Sequence, residues 1–388
     1  MAGKQPLMGL MRRLPTRQGR QQDDPKHEAS KPDRARRGGL TPVRVILFSL
    51  GLAVLVVIMI RAGAGSVARS LVSLGFTGLL LIVLLHLPVV VAMANAWQGV
   101  AGNLAGGSRL RFLWARLVRD AACEVLPFSQ LGGFLLGLSA LGLRGSEAVR
   151  GAISVGVDLV IELAAKLPYL LSGLIVVLAL APGSNLLRPV LLVLVLTAAA
   201  VCAPFLCRRR VWRFLESAVR AILRRWEAAG ALFDSHIRQP ELKAMLEQSL
   251  GRRTRVLTGF LLHLICWFAG AVEVWVTFAL LGTPIGILPA LAIDSIMCGF
   301  RTFAFMIPAA AGVQEASYVL AGAAFGIPAN AAVAASLARR ARDLLLGGGT
   351  LAIYAAIHAH RAHGAIRRGV PSEGSQSDRG QGTLSESP

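Results

Sequence analysis

The sequence has no HExxH, no P-loop, no GxSxG and no dinucleotide-binding glycine pattern, and its polar loops are too short to hold a catalytic domain. An enzyme is left only if its catalytic groups are charges embedded in apolar sequence. Charged residues make up 16% of the 388 positions and aromatic residues 6%, too few for a nucleic-acid surface despite a net charge of +20. The five cysteines (Cys123, Cys202, Cys207, Cys266 and Cys298) form no CxxC pair and lie in apolar runs or at their ends. Neither zinc nor a disulfide framework is implied, and no metal or cofactor is expected. A signal peptide would set a short basic region directly before an apolar run at the start of the chain. Here a long basic leader precedes the first run, near Val45, which reads as a retained anchor.

What the chain has in abundance is apolar sequence. A mean hydropathy of +0.60 with 54% hydrophobic residues describes an all-α polytopic integral membrane protein with one embedded domain. A spanning helix needs roughly 20 apolar residues. By that criterion six spans fall near residues 43–60, 72–98, 151–179, 187–206, 256–281 and 329–358. Residues 1–41 carry Lys4, Arg12, Arg13, Arg17, Arg20, Arg36 and Arg37 without hydrophobic period and read as a disordered cytoplasmic tail. Residues 361–388 read as a second such tail, which leaves 42–360 as the membrane domain. Within it, 207–255 reads as a cytoplasmic insert, where Trp212, Leu215, Val219, Ile222, Trp226, Ala229 and Phe233 trace one face of an amphipathic helix.

Two apolar regions, 112–141 and 289–326, are broken by proline followed by glycine. The first reads Glu124-Val125-Leu126-Pro127-Phe128-Ser129-Gln130-Leu131-Gly132-Gly133; the second reads Ile307-Pro308-Ala309-Ala310-Ala311-Gly312. Proline removes a backbone donor and glycine permits a turn, so each region reads as a re-entrant helical hairpin. Basic loops around Arg109, Arg111, Arg116, Arg144, Arg150, Arg208, Arg209, Arg210, Arg252, Arg253 and Arg255 belong to the cytoplasm, and so do both termini. The order span, hairpin, charged span then occurs twice with opposite topology. Inverted repeats with interrupted helices point to a transporter whose site lies between the halves.

Charge at membrane depth marks the candidate site. Asp158, Glu162 and Lys166, spaced four apart, line one face of the third span: either a polar wall or a self-neutralising string. Arg339, Arg340, Arg342 and Asp343 interrupt the last apolar run. Asp343 is within reach of Arg339 or Arg340, and at least one further arginine is expected to face a cavity and offer its fork to phosphate or carboxylate. The alternative is a helix break near Pro328 that would put these arginines in a loop. Arg116, Arg119, Asp120 and Glu124 precede the first proline break, and Arg301 precedes the second. Gln314 and Glu315 follow Pro308 and Gly312, with Arg301–Glu315 as one available pairing. His263 and Glu273 are weaker candidates, as helix-to-helix hydrogen-bonding groups or proton relays.

The two motifs, the second continuing Gly312-Val313-Gln314-Glu315, together resemble the membrane domain of lysylphosphatidylglycerol synthases, and most closely the hopanoid-biosynthesis-associated membrane proteins called HpnL. The resemblance spans about residues 42–360 and includes Val157-Asp158-Leu159 with Glu162, Trp267 with Glu273, and the Arg339 to Asp343 string. It implies a flippase-type protein of the bacterial inner membrane that lacks the aminoacyl-transferase domain. Implied partners are membrane lipids, hopanoid or anionic phospholipid, and membrane proteins of the hopanoid pathway. One departure stands out: the family often has an acid after the paired glycines, where this chain has Phe134. Glu124 or Asp120 would have to replace it.

Overall fold

The computed structural model describes residues 63–125, 129–143, 145–206, 251–304 and 310–367, with isolated positions at 53, 56, 57, 60, 61 and 307. The tail over 1–41, nearly all of the span expected at 43–60, the surface helix around Trp212, and both Pro127 and Pro308 lie outside the described residues.

Two runs of helices follow one another. The first comprises α1 (Ala64–Ala101), α2 (Arg109–Val125), α3 (Ser129–Ala140) and α4 (Gly145–Leu180). After α5 (Leu187–Leu206) come α6 (Arg253–Leu280), α7 (Ile287–Phe303), α8 (Val313–Ala324) and α9 (Ala329–Arg367). The short helices match in length: α2 and α7 each have 17 residues, and α3 and α8 each have 12. Each long-helix, helix-pair, long-helix unit of the sequence is therefore present in both halves. Within each unit the two short helices pack on each other, and each break falls at a proline motif.

Among the described residues α1, α4 and α6 are long and apolar enough to cross a membrane, and residues 187–202 form a shorter apolar helix. Large apolar side chains point outward along them, with Val72 79% and Phe76 78% exposed. Such a surface suits lipid, since a soluble protein rarely leaves so much apolar area uncovered. α1 bends at Gly75 (φ 60°, ψ −177°), a conformation open to glycine, and contains Pro88. α9 begins directly after Pro328 and runs unbroken through the arginine string. Those arginines are helical, so the loop alternative is excluded. The helix also continues through residues 361–367, so the segment expected to be tail is helical as far as Arg367. Likewise residues 253–255, expected within the central insert, form the first turn of α6.

The main core gathers Ile82 of α1, Tyr169 of α4, Phe278 of α6, Ile293 and Met297 of α7, Tyr318 of α8 and Val333 of α9. Small residues set how closely these helices approach. A Cβ on Gly173 would fall 1.7 Å from Ser295 Oγ, and α9 turns Ala331, Ala332, Ala334, Ala335 and Ala338 inward. Between lipid-solvated helices close backbone contact replaces the hydrophobic drive that operates in water. This packing brings α2, α4, α6, α7 and α9 around one polar interior.

Candidate functional site: a buried ion-pair network

In the first half, α2 presents two arginines to two acids on α4. Arg119 donates from Nη1 to Asp158 Oδ2 at 3.1 Å and from Nη2 to Glu162 Oε2 at 2.9 Å. Arg116 reaches Glu162 at 3.3 Å and its own-helix neighbour Asp120 at 2.7 Å, one turn away. The other carboxylate oxygen of Asp158 faces His263 Nε2 of α6 at 3.0 Å. The buried Nδ1 of His263 has no hydrogen-bond partner among the described residues.

In the second half the signs are exchanged. Here the long helix α9 carries the arginines and the helix pair carries the acids. Arg339 meets Asp294 of α7 at 2.5 Å, and Arg340 meets Glu315 of α8 at 2.7 Å. Glu315 also accepts the backbone N–H of Gly312 at 2.9 Å, which ties the arginine to the start of α8. Gly312 has φ 77°, so the break motif needs glycine there. Arg342 bonds Glu273 of α6 and folds back on Asp343 at 2.6 Å.

Several pairings differ from those expected. Asp343 binds its sequence neighbour Arg342, because Arg339 and Arg340 are taken by α7 and α8. Arg301 does not pair with Glu315. It pairs with Glu124 of α2 and lies 3.9 Å from Asp343. Asp158, Glu162 and Lys166 do not neutralise one another, since the arginines of α2 reach the acids first. Lys166 instead donates to Thr302 of α7 at 2.7 Å and stands 4.4 Å from the ring centroid of Trp267.

Three participants carried little signal in the sequence. Asp294, fully buried on an apolar arm, accepts from Tyr169 of α4 at 2.5 Å. His86 of α1 contacts Glu273 at 2.8 Å. A single acid within a largely apolar arm was the available sign for Asp294; His86 and Tyr169 gave none. Gly132 and Gly133 act on packing rather than charge. A Cβ at Gly133 would lie 2.3 Å from Cys123 Sγ, whereas Gly132 has open space.

Arg116, Arg119, Lys166, Arg301, Arg339, Arg340 and Arg342 stand against Asp120, Glu124, Asp158, Glu162, Glu273, Asp294, Glu315 and Asp343, so carboxylates outnumber these cations by one. Where at least one arginine of the string was expected to face a cavity, Arg339, Arg340 and Arg342 each meet a carboxylate. An anion entering here has to displace a carboxylate. Asp158, Glu162 and His263 do bring three ligand atoms within 4.8 Å of one another, a spacing a metal ion accepts. Arg116 and Arg119 already hold the same carboxylates, and their positive charge opposes a further cation.

The lysylphosphatidylglycerol synthase TM region matches residues 46–348, most of the chain and all of both helix runs up to Gly348. The chain belongs to this family. No curated protein and no solved structure matches it. Family membership and the apolar helices together give a membrane location and a lipid-related role.

Proposed function

We propose that this member of the family is a lipid translocase or transport factor of the bacterial inner membrane, not an enzyme, and that it serves hopanoid-related lipids. The observation that carries the reading is the contrast between two kinds of ion pair. Within each half, fully buried acids (Asp158; Asp294 and Glu315) lock the helix pair to its long helix. Between the halves, Asp158–His263 and Asp294–Tyr169 are buried as well, whereas Glu124 and Arg301 meet with side chains 26% and 23% exposed. The buried pairs suit fixed units and a pivot between them, and the exposed Glu124–Arg301 pair suits a contact that opens.

In this reading the two helix pairs are re-entrant, the halves form an inverted repeat with both termini cytoplasmic, and the headgroup site lies between them. Opening the Glu124–Arg301 contact alone would strand two charges at membrane depth. A polar or anionic headgroup that takes Arg301, with its own donors on Glu124, replaces what is lost. Arg340 and Arg339, 17% and 14% exposed, extend the cationic side of that path. Opening is thereby coupled to the presence of a headgroup, and the halves rock about the interior to pass it from one leaflet to the other. The likeness to the HpnL proteins supports the hopanoid assignment and a place beside membrane proteins of that pathway.

The test is a mass-spectrometric lipid inventory of separated inner and outer membranes from a deletion strain and its parent. Transport predicts an unchanged set of lipid species with hopanoids depleted from the outer membrane. A missing species with an accumulated precursor would instead mean lipid modification, and the transport reading would be abandoned.

A further inference from the structure

At the basic end of the bundle, where α1 stops and α4 and α6 begin, a pocket of about 230 Å³ lies apart from the ion-pair network. Arg150 and Ser154 of α4, Asn103 after α1, and Arg252 and Arg255 at the start of α6 form its polar walls. None of its lining residues is acidic. Arg150 has one carboxylate near it, Glu147 at 3.8 Å, with both side chains about half exposed, a geometry that contributes little. Among the described residues neither Arg252 nor Arg255 has a carboxylate partner.

The start of α6 sharpens the imbalance. A helix N-terminus carries partial positive charge from its unpaired N–H groups and favours acids in its first turn. Here the first turn has no acid, the N-cap is Arg252 with no side-chain capping bond, and Arg253 and Arg255 follow. Three guanidinium groups thus sit where the helix dipole repels them. Arg255 is also drawn over the end of α1: a Cβ on Gly102 would fall 2.8 Å from its Nη1, and the φ of 69° at Gly102 is what calls for glycine there. Guanidinium groups from two helices, a helix N-terminus and an amide converge on a space that holds no compensating acid among the described residues. Its volume is below the ~300–1,000 Å³ of clefts that enclose a drug-sized molecule, which matches a headgroup and not a whole lipid.

We propose that this pocket binds a phosphate group, and that the phosphate is the headgroup of an anionic membrane phospholipid whose acyl chains lie against the outward apolar faces of α1 and α6. Arginine supplies the planar fork that phosphate oxygens accept, and basic pockets between membrane helices take lipid headgroups in this way. The site is distinct from the translocation path. It rests on the membrane location of the family and does not depend on transport.

The experiment is native mass spectrometry of the full-length protein titrated with phosphatidylglycerol or phosphatidylcholine, with thermal melting as a second readout. The variants are Arg252→Gln/Arg255→Gln and, as control, Arg253→Gln in the same turn but outside the pocket. The expected result is preferential retention of phosphatidylglycerol by the wild type and the control, with affinity about fivefold weaker for each pocket arginine removed. Arg150→Gln, on the opposite wall and half exposed, should show the roughly fivefold loss of a single pocket arginine even if the double variant fails to fold. Equal retention in pocket and control variants would overturn the site. A second arm adds inorganic phosphate alone. If it raises the melting temperature of the wild type but not of the pocket variants, while phosphatidylglycerol is retained equally by all, the ligand is free phosphate and the lipid assignment is overturned.

Discussion

Arg301 of α7 is ion-paired to Glu124 of α2, 177 positions earlier in the chain, and this contact joins the C-terminal end of the first short helix of one half to that of the other. Both side chains are about a quarter exposed, so their pairing is worth less than that of a sealed pair. Glu124→Gln and Arg301→Gln should each lower stability by about 1–2 kcal/mol, read as a reduced melting temperature of the purified protein. Glu124→Arg/Arg301→Glu should recover most of it, because the pair is re-formed with its ends exchanged. A Glu124→Gln/Arg301→Gln double variant whose loss merely equals the sum of these singles would show that the two residues do not interact.

Asp158 should matter more. It is fully buried, accepts from Arg119 and His263, and lies 3.6 Å from Arg116. Asp158→Asn leaves buried cationic groups without their acid and should destabilise by about 3–5 kcal/mol. Glu162→Gln should cost less, since Glu162 is 15% exposed and Arg119 keeps Asp158. Chemical or thermal unfolding in detergent ranks the two variants, and the reverse order would contradict the geometry.

The paired glycines of the first break should respond oppositely to the same change. Gly133→Ala puts a methyl 2.3 Å from Cys123 Sγ and 2.7 Å from the Arg119 carbonyl, forcing α2 and α3 apart. Overpacking of that kind costs about 1–3 kcal/mol and would displace Arg119. Gly132→Ala meets nothing within 4 Å and should be neutral or stabilising by up to about 1 kcal/mol, as alanine is the better helix former. Folded yield and melting temperature of the two variants measure the difference.

Asp294 gives a graded series. Tyr169→Phe removes one hydrogen bond to it and should cost about 1.5–3 kcal/mol, the range for a bond to a charged acceptor. Asp294→Asn removes the partner of Arg339 as well and should cost more. Equal melting temperatures for the two would mean that the Arg339–Asp294 contact contributes nothing.

The helical layout was legible because apolar run length and proline-glycine breaks are local signals. The regions expected at 112–141 and 289–326 are occupied by α2 with α3 and α7 with α8, within a few residues at each end. Asp158, Glu162, Arg339 and Arg340 were equally legible, since charge inside an apolar run stands out wherever it lies. Their partners were not. Asp343 and Arg339 are four apart and look paired in sequence, yet α7 places Asp294 nearer and Arg342 takes Asp343. Lys166 illustrates the same limit. Helical spacing puts it beside Glu162, while tertiary packing gives it Thr302 and the face of Trp267. Pair identity depends on which helices touch, and one sequence carries no such information.

The most direct measurement is lipid reorientation in vesicles containing the full-length protein, followed by loss of a headgroup-labelled polar hopanoid from the protected inner leaflet. The account predicts reorientation above protein-free vesicles, its loss in Arg301→Gln and its return in Glu124→Arg/Arg301→Glu, with all proteins inserted equally. Reorientation no faster than in protein-free vesicles, or as fast in Arg301→Gln as in the wild type, would contradict a translocation path through the Glu124–Arg301 contact.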